Sequence, residues 1–174
     1  MALEGDSNLA KPMKIVYRGT VKAIEDSFNL KQKIRRKIFL NYAAKRNLLP
    51  IGATNRSEML IGWFVKDGID DLKIEPLMGL LKSQVRELAK FLGLPSQITT
   101  ERPSPDMFKG AGDERLIGIP YEKIDKAILA LENNWKLEEL PNQSITPTEF
   151  KKVKRMIELS KSKRSNVHIY PSLE

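Results

Sequence analysis

The 174-residue sequence predicts an α/β fold in which helices dominate. Segments whose apolar residues recur at helical spacing alternate with short apolar runs, which is the pattern of a layered α/β protein. Strand-like runs occur at residues 13–17 and 47–52, so the expected sheet is small. The length suits one domain with a core of its own. We expect that domain at residues 13–164, between a flexible leader at 1–12 and a tail at 165–174.

A long amphipathic helix is predicted over residues 28–46. Its apolar residues fall four apart along the chain, which places them on one face of a helix. These residues are Leu30, Ile34, Ile38 and Tyr42. The opposite face is basic and carries Lys31, Lys33, Arg35, Arg36 and Lys37.

The spacing of Asn55 and Glu58 is that of a capping box, which predicts a helix that continues to Phe64. Residues 98–120, rich in proline and glycine, are expected to form a functional or disordered loop. Further helices are predicted over residues 83–92, 121–132 and 147–161. In the first of these, the residues expected to face inward are Val85, Leu88, Ala89 and Leu92.

The composition excludes several classes of site. The sequence has no cysteine and one histidine, His168, so a thiol nucleophile, a disulfide or a histidine triad cannot be built within the chain. No apolar run approaches the roughly 20 residues of a membrane helix. We therefore expect a cytoplasmic protein with no membrane partner. The net charge of +8 suits a phosphate-rich ligand, whereas nucleic acid is not expected, because no aromatic residues alternate with the basic ones.

Residues 52–58 place a glycine between a predicted strand and a predicted helix. Ligands of open α/β sheets bind at the carboxyl ends of strands, and a helix start attracts anions. The Glu58 carboxylate also suits a hard cation such as Mg²⁺. The alternative is that Glu58 only completes the capping box with Asn55. Spacing alone favours that alternative.

Other polar residues are candidates for the same chemistry. Lys66 and Lys82 can each reach a phosphate oxygen as a point charge, although they can equally be solvated lysines. Ser104 lies in a proline-flanked turn, where its hydroxyl either bonds a nucleotide or caps a helix. Asp113 and Glu114 are adjacent on a predicted loop, so we expect them to be solvated. The sequence contains none of the glycine-rich loops G-x-x-x-x-G-K-[ST], G-x-G-x-x-G and S-G-G-x-D-S.

A series of short motifs follows in a fixed order along the chain. Residues 52–58 read G-A-T-N-R-S-E, residues 65–68 V-K-D-G, residues 82–89 K-S-Q-V-R-E-L-A and residues 103–107 P-S-P-D-M. Asp113, Tyr121 and Asp125 belong to a further motif, and residues 160–164 read S-K-S-K-R. In order and spacing these motifs resemble those of the ammonia-dependent NAD synthetases, from about Met13 to Arg164.

The resemblance implies an adenine-nucleotide α-hydrolase-like, Rossmann-like fold and a homodimer. It also implies a reaction in which ATP adenylates the nicotinate carboxylate of deamido-NAD and ammonia then displaces AMP. Carried over by position, Glu58 is the magnesium ligand, while Lys82, Ser104 and Thr54 contact ATP. Deamido-NAD is expected to contact Lys33, Lys66 and Lys163.

The sequence also departs from the family pattern. Ala53 stands where the family has a threonine, and Thr54 offers a hydroxyl at a different angle. Ile69 and Lys73 replace family aspartates, and Ser162 replaces a histidine. The family's first βα units, with the S-G-G-x-D-S pyrophosphate loop, are expected before Met13 and are not in this sequence. The resemblance therefore implies an N-terminally truncated fold that is doubtful as an isolated enzyme and for which no catalytic residue can be assigned.

Three hypotheses follow from these observations. The first is a fragment or a split gene product of a NAD synthetase, whose S-G-G-x-D-S loop is encoded either upstream in the same frame or on a separate chain. The second is a diverged ATP-dependent amide ligase for another carboxylate, suggested by Ile69 and Lys73. The third is a module that binds a nucleotide or a partner chain without catalysing a reaction.

Overall fold

A computed structural model describes residues 10–101, 112–140, 145–166 and 168–171. Helices dominate this part of the chain, as the sequence predicts. They are α1 (Ala10–Lys45), α2 (Arg56–Ile61), α3 (Lys82–Phe91), α4 (Ser96–Thr99), α5 (Asp113–Ile117), α6 (Tyr121–Glu132) and α7 (Pro147–Leu159). A short 3-10 helix follows α6 at Leu137–Glu139. No helix within the described ranges is long and apolar enough to cross a membrane.

The hydrophobic core surrounds α6, which packs against α2, α3 and α7. Ile124 and Ile128 lie one helical turn apart and are buried together with Ala127. Val153 of α7 and Ile61 of α2 join them in one cluster. The periodicity over residues 121–132 therefore predicted the central helix of the core correctly.

Local signals in the sequence set several helix ends. Asn55 caps α2, because its side chain accepts the Glu58 backbone N–H at 3.1 Å and the Glu58 carboxylate accepts the Asn55 N–H at 3.2 Å. Gly62 ends α2 with a φ of 76°, a left-handed conformation that glycine adopts without strain. The prediction that this helix continues to Phe64 is therefore wrong.

Neither predicted strand is present. Residues 13–17 lie within α1, and residues 47–52 belong to no strand. Within the described ranges the one β contact outside a named strand is an isolated parallel bridge between Ile74 and Ile169. A strand needs a neighbouring strand to take up its backbone hydrogen bonds, and no segment of the described chain lies alongside residues 48–51 in that way. The helix-rich character is confirmed, whereas an extended β layer is not found.

Two helices present apolar residues to solvent. Leu30, Ile34, Ile38 and Tyr42 of α1 are 60%, 48%, 65% and 51% exposed. The expectation that Leu88 and Leu92 face inward is wrong, because they are 37% and 62% exposed, whereas Val85 and Ala89 are half-buried. The periodicity was read correctly as helical, but no second layer in the described chain covers these faces.

The loop predicted over residues 98–120 is partly helical. It includes the end of α4 and all of α5, whereas residues 102–111 lie outside the described chain. Of the predicted leader, residues 1–9 also lie outside it, and α1 begins at Ala10. Of the tail, Ile169 is held by its bridge to Ile74.

Candidate functional site

Glu58 and Lys82 form an ion pair where α2 and α3 begin. Lys82 Nζ lies 2.7 Å from Glu58 Oε1, and the two side chains are 18% and 14% exposed. The ammonium group also lies 5.3 Å from the centre of the Tyr121 ring. The structure therefore brings together the predicted metal ligand and one predicted ATP contact. The other Glu58 carboxylate oxygen accepts the Asn55 backbone N–H, so the capping-box interpretation is confirmed, whereas the role of Glu58 as a metal ligand stays a prediction.

A buried serine and a buried aspartate fix the position of Lys82. The Ser57 hydroxyl donates to one carboxylate oxygen of Asp125 and accepts the Lys82 backbone N–H at 2.9 Å. The other Asp125 oxygen accepts the Ser83 N–H at 2.8 Å. The Ser57 hydroxyl and the Asp125 carboxylate thus accept the first backbone N–H groups of α3. Such groups have no partner within the helix and carry partial positive charge.

Asp113 and Tyr121 close the inner side of this site. The Tyr121 hydroxyl donates to Asp113 Oδ2 at 3.3 Å, and both residues are buried. Burial raises the pKa of Asp113, the Glu58 charge raises it further, and the Lys82 charge lowers it. Burial also raises the pKa of Tyr121, so the phenol stays protonated and can donate. The expectation that Asp113 is solvated is wrong, because α5 turns it toward α6.

Thr54 and Glu58 line a pocket of about 380 Å³ together with Phe39, Ile51 and Asp70. The Thr54 hydroxyl donates to the Asp70 carbonyl at 2.7 Å, and its backbone N–H donates to the buried Glu75 carboxylate at 2.9 Å. Thr54 is thus placed beside Glu58, but its hydroxyl already donates to a backbone carbonyl. The neighbouring Ala53 is exposed and offers no hydroxyl.

Lys66 and Lys163 form a second group beyond the end of α2. Lys163 Nζ donates to the Gly62 carbonyl at 2.7 Å and lies 4.8 Å from the centre of the Phe64 ring. Burial lowers the pKa of Lys163, while Asp70 raises it. Lys66 is more exposed and donates to the Ser165 hydroxyl at 2.6 Å.

Two predicted residues do not join these groups. Lys33 is exposed on α1, and no contact between it and either group is found in the described chain. Ser104 lies outside the described residues. The structure therefore brings together Thr54, Glu58 and Lys82. It places Lys163 against Gly62 at the end of α2, with Lys66 four residues further along the chain from Gly62, and leaves Lys33 apart.

A larger cavity of about 570 Å³ lies elsewhere, between α2 and the C-terminal segment. Arg56, Arg164 and His168 line it, and none of Thr54, Glu58 or Lys82 does. His168 lies 2.7 Å from the buried Asp71 carboxylate, which also accepts the Asn166 side chain at 2.7 Å. These contacts hold the C-terminal segment in place. We therefore regard this cavity as separate from the site formed by Thr54, Glu58 and Lys82.

The sequence interpretation gave no role to Ser57, Asp113, Tyr121 or Asp125 in holding Lys82. One motif in the sequence includes Asp113, Tyr121 and Asp125. Asp113 lies in α5, whereas Tyr121 and Asp125 lie in α6 after the intervening turn. Spacing predicts proximity within one helix, whereas Asp113 of α5 meets Tyr121 at the start of α6, and Asp125 meets Ser57 of α2. The apolar residues at helical spacing over residues 121–132 were the signal in the sequence that Tyr121 begins a helix of the core.

Comparison with solved structures identifies the class of protein. The chain resembles NMN synthetase from Francisella tularensis with a TM-score of 0.69 and 25% identity, over 93% of this chain and 64% of that one. It also shares its fold with an NH3-dependent NAD synthetase from Campylobacter jejuni, with a TM-score of 0.58 over 97% of this chain and 74% of that one. The fold is thus one found in nicotinamide-nucleotide synthetases.

The family itself is shown by sequence. The family model described as NAD synthase matches residues 6–167. NH(3)-dependent NAD(+) synthetase from Thermotoga maritima is 37% identical over 82% of this chain and 49% of its own length. The corresponding protein from Staphylothermus marinus is also 37% identical, over 83% of this chain and 53% of its own length. The chain belongs to the NAD synthase family, and it spans about half the length of these relatives.

Proposed function

We propose that this chain carries one part of the active site of an ATP-dependent, ammonia-using NAD synthetase. The Glu58–Lys82 ion pair beside the Thr54 pocket is the observation that carries the proposal. The carboxylate oxygen of deamido-NAD attacks the α-phosphorus of ATP, and pyrophosphate leaves. Ammonia then attacks the carboxyl carbon of the adenylate, a proton is lost, and AMP leaves the new amide.

Lys82 is the residue to which we assign stabilisation of phosphate charge. Its ammonium group is held between the Glu58 carboxylate and the Tyr121 ring, and its backbone is fixed by Ser57. A fixed and largely buried cation stabilises charge that develops on transferred phosphate oxygens more than a mobile, solvated one does. Thr54 and Ser104 are proposed as further ATP contacts.

Glu58 is proposed as the protein ligand for Mg²⁺. Mg²⁺ in nucleotide sites is held by one or two carboxylates together with substrate phosphates and water, and a single half-buried carboxylate beside a pocket fits that requirement. When bound, the ion would neutralise phosphate charge. No group of three or more potential metal ligands occurs among the described residues, so phosphate and water would complete its coordination.

Lys66 and Lys163 are proposed to bind deamido-NAD, with Lys33 contributing from another surface. Lys163 is half-buried and partly desolvated, which strengthens its attraction for a phosphate. The replacement of family aspartates by Ile69 and Lys73 changes the substrate-facing loop, and Ile69 lines the Thr54 pocket. The names of the relatives favour deamido-NAD over a different carboxylate.

We also propose a cytoplasmic homodimer. The exposed apolar face of α1, formed by Leu30, Ile34, Ile38 and Tyr42, is the surface available for the contact between copies. Sedimentation velocity at increasing protein concentration tests this assembly, and a concentration-independent monomer would contradict it.

The experiment is an assay of NAD formation from deamido-NAD, ATP, Mg²⁺ and ammonia, with NMN formation from nicotinate mononucleotide measured in parallel. The assay is run on the chain alone and on the chain with the remaining part of a relative. Lys82→Met is expected to lower product formation at least a hundredfold, because one fixed charge of this kind contributes about 10²–10³ in rate.

Lys123→Met is the matched control. Lys123 of α6 also lies 2.7 Å from a glutamate, Glu149 of α7. This ion pair is far along the chain from Glu58 and Lys82. Lys123→Met is expected to leave the rate unchanged. If the two variants lose activity equally, or if neither loses any, Lys82 does not act on the phosphates. If no product forms in any combination while the chain still gains thermal stability from ATP, it binds nucleotide without catalysis.

A further inference from the structure

The cavity of about 570 Å³ between α2 and the C-terminal segment has both apolar and charged side chains in its lining. Pockets that bind small molecules measure about 300–1,000 Å³ and are mainly apolar, with a few polar groups that orient the ligand. Met59 and Leu60 of α2 and Met78 of the loop between α2 and α3 supply the apolar side chains here. Methionine is flexible and polarizable, so it adapts to the shape of a ligand. The cavity therefore suits a small ligand with an apolar body.

Arg164 brings a positive charge to this cavity that no described residue neutralises. The side chain is half-buried, and burial lowers the pKa of Arg164. Its Nη2 atom donates to the Ile157 carbonyl at 2.9 Å, whereas its buried Nε atom has no hydrogen-bond partner in the described chain. No described carboxylate forms an ion pair with Arg164. Burial of a cation without an anion costs free energy, so this position favours an anionic ligand.

The other arginine of the cavity is already paired. Arg56 Nη2 lies 2.6 Å from Glu132 Oε1, and both side chains line the cavity. Their charges cancel, although a guanidinium has five N–H donors and one ion pair leaves some of them free. Two arginines and one glutamate thus give the charged lining a net charge of one, and that charge is on Arg164.

Two further polar side chains of the lining are held from outside it. The buried Asp71 carboxylate accepts the Asn166 amide N–H at 2.7 Å and lies 2.7 Å from His168 Nε2. Asp71 itself does not line the cavity. Asn166 and His168 therefore shape the wall of the cavity, while Arg164 supplies the charge that attracts a ligand.

We propose that this cavity binds a small aromatic monocarboxylate, as a further ligand besides those of the proposed function. The carboxylate accepts N–H groups of the Arg164 guanidinium, whose planar fork matches a carboxylate. The ring packs on Met59 and Met78 and against Tyr170, which lines the cavity and is 50% exposed. One net positive charge matches a carboxylate, whereas a phosphate monoester carries about −1.5 to −2 at pH 7.

The test uses the full chain and benzoate as the probe. In NMR titrations we expect saturable binding that shifts the backbone amide resonances of Leu60 and Gly79, which both line the cavity. Acetate has the charge without the ring, and benzyl alcohol has the ring without the charge. Each is expected to bind about tenfold more weakly than benzoate or worse, because each lacks one of the two contacts.

Variants of the charged residues test the role of Arg164. Arg164→Met keeps an apolar stem and is expected to weaken benzoate binding about tenfold or more. Arg155→Met, at an exposed arginine of α7 that does not line the cavity, is expected to leave it unchanged. Glu132→Gln is expected to strengthen binding several-fold, because it leaves Arg56 as a second unpaired charge. A gain in binding cannot result from a failure to fold.

Each contrary result overturns the inference. Absence of saturable binding would show that the cavity has no such ligand. Binding that neither Arg164→Met nor Glu132→Gln changes would place benzoate elsewhere. Displacement of benzoate by deamido-NAD would make the cavity part of the substrate site. Lys82→Met is expected to leave benzoate binding unchanged, because Lys82 does not line the cavity. Loss of NAD formation and loss of benzoate binding are therefore separate outcomes.

Discussion

At the residue scale, burial changes the pKa of an acidic side chain, as Asp113 shows. Asp113 is 5% exposed, and its Oδ1 atom has no hydrogen-bond partner in the described chain. Burial raises the pKa of Asp113 above its ordinary 3.8. The folded state therefore binds the proton more tightly than the unfolded state does, and the free energy of unfolding falls as pH rises from about 3.8 through the folded pKa.

Asp113→Asn is expected to raise the melting temperature at about pH 8, because the amide removes a buried charge and keeps an acceptor for Tyr121. The gain is about 1.4 kcal/mol for each unit by which the pKa is raised. It should shrink toward zero as pH falls below the folded pKa. Calorimetry at two pH values measures it, with Asp26→Asn on the exposed face of α1 as control. A variant less stable at about pH 8 would contradict this account.

At the element scale, a cap predicted the start of a helix better than periodicity predicted packing. The capping box of α2 forms as its sequence indicates, and a second capping box is found at the start of α7. In contrast, the apolar spacing of α1 and α3 predicted helices but not what covers them. A capping box is complete within four residues, whereas burial of a helix face depends on a second element.

Glu149 of α7 provides a test of a cap. Its carboxylate pairs with Lys123 and accepts hydrogen bonds from Thr146, which lowers its pKa to about 2. Its contribution to stability is present above the ordinary 4.5 and is lost as pH falls toward about 2. Glu149→Gln is expected to lower the melting temperature by a few degrees near neutral pH and to match the unchanged chain near pH 2. Glu122→Gln serves as the control, and a pH-independent difference would argue against the ion pair and cap.

At the scale of the whole molecule, the chain has a well-packed side and an open side. The packed side is the α2, α6 and α7 cluster, where Ile128 is 1% exposed. The open side includes the outer face of α1, where Ile38 is 65% exposed, and residues 48–51.

Two isoleucine truncations test this division. Ile128→Ala is expected to cost about 2–5 kcal/mol, because it leaves a cavity in the core. Ile38→Ala is expected to change the stability of the isolated chain by less than about 0.5 kcal/mol. Urea unfolding followed by circular dichroism measures both. A large loss for Ile38→Ala at a protein concentration where sedimentation shows a monomer would contradict this division.

The sequence by itself determined the positions of most helices, the capping box of α2 and the family. Those follow from short-range spacing and from the order of motifs such as residues 52–58 and 82–89. Tertiary structure alone decided that Glu58 pairs with Lys82, that Asp113 is buried against Tyr121, and that residues 48–51 form no strand. These contacts join residues that are distant along the chain or depend on whether a neighbouring strand is present. Local spacing carries no information about either.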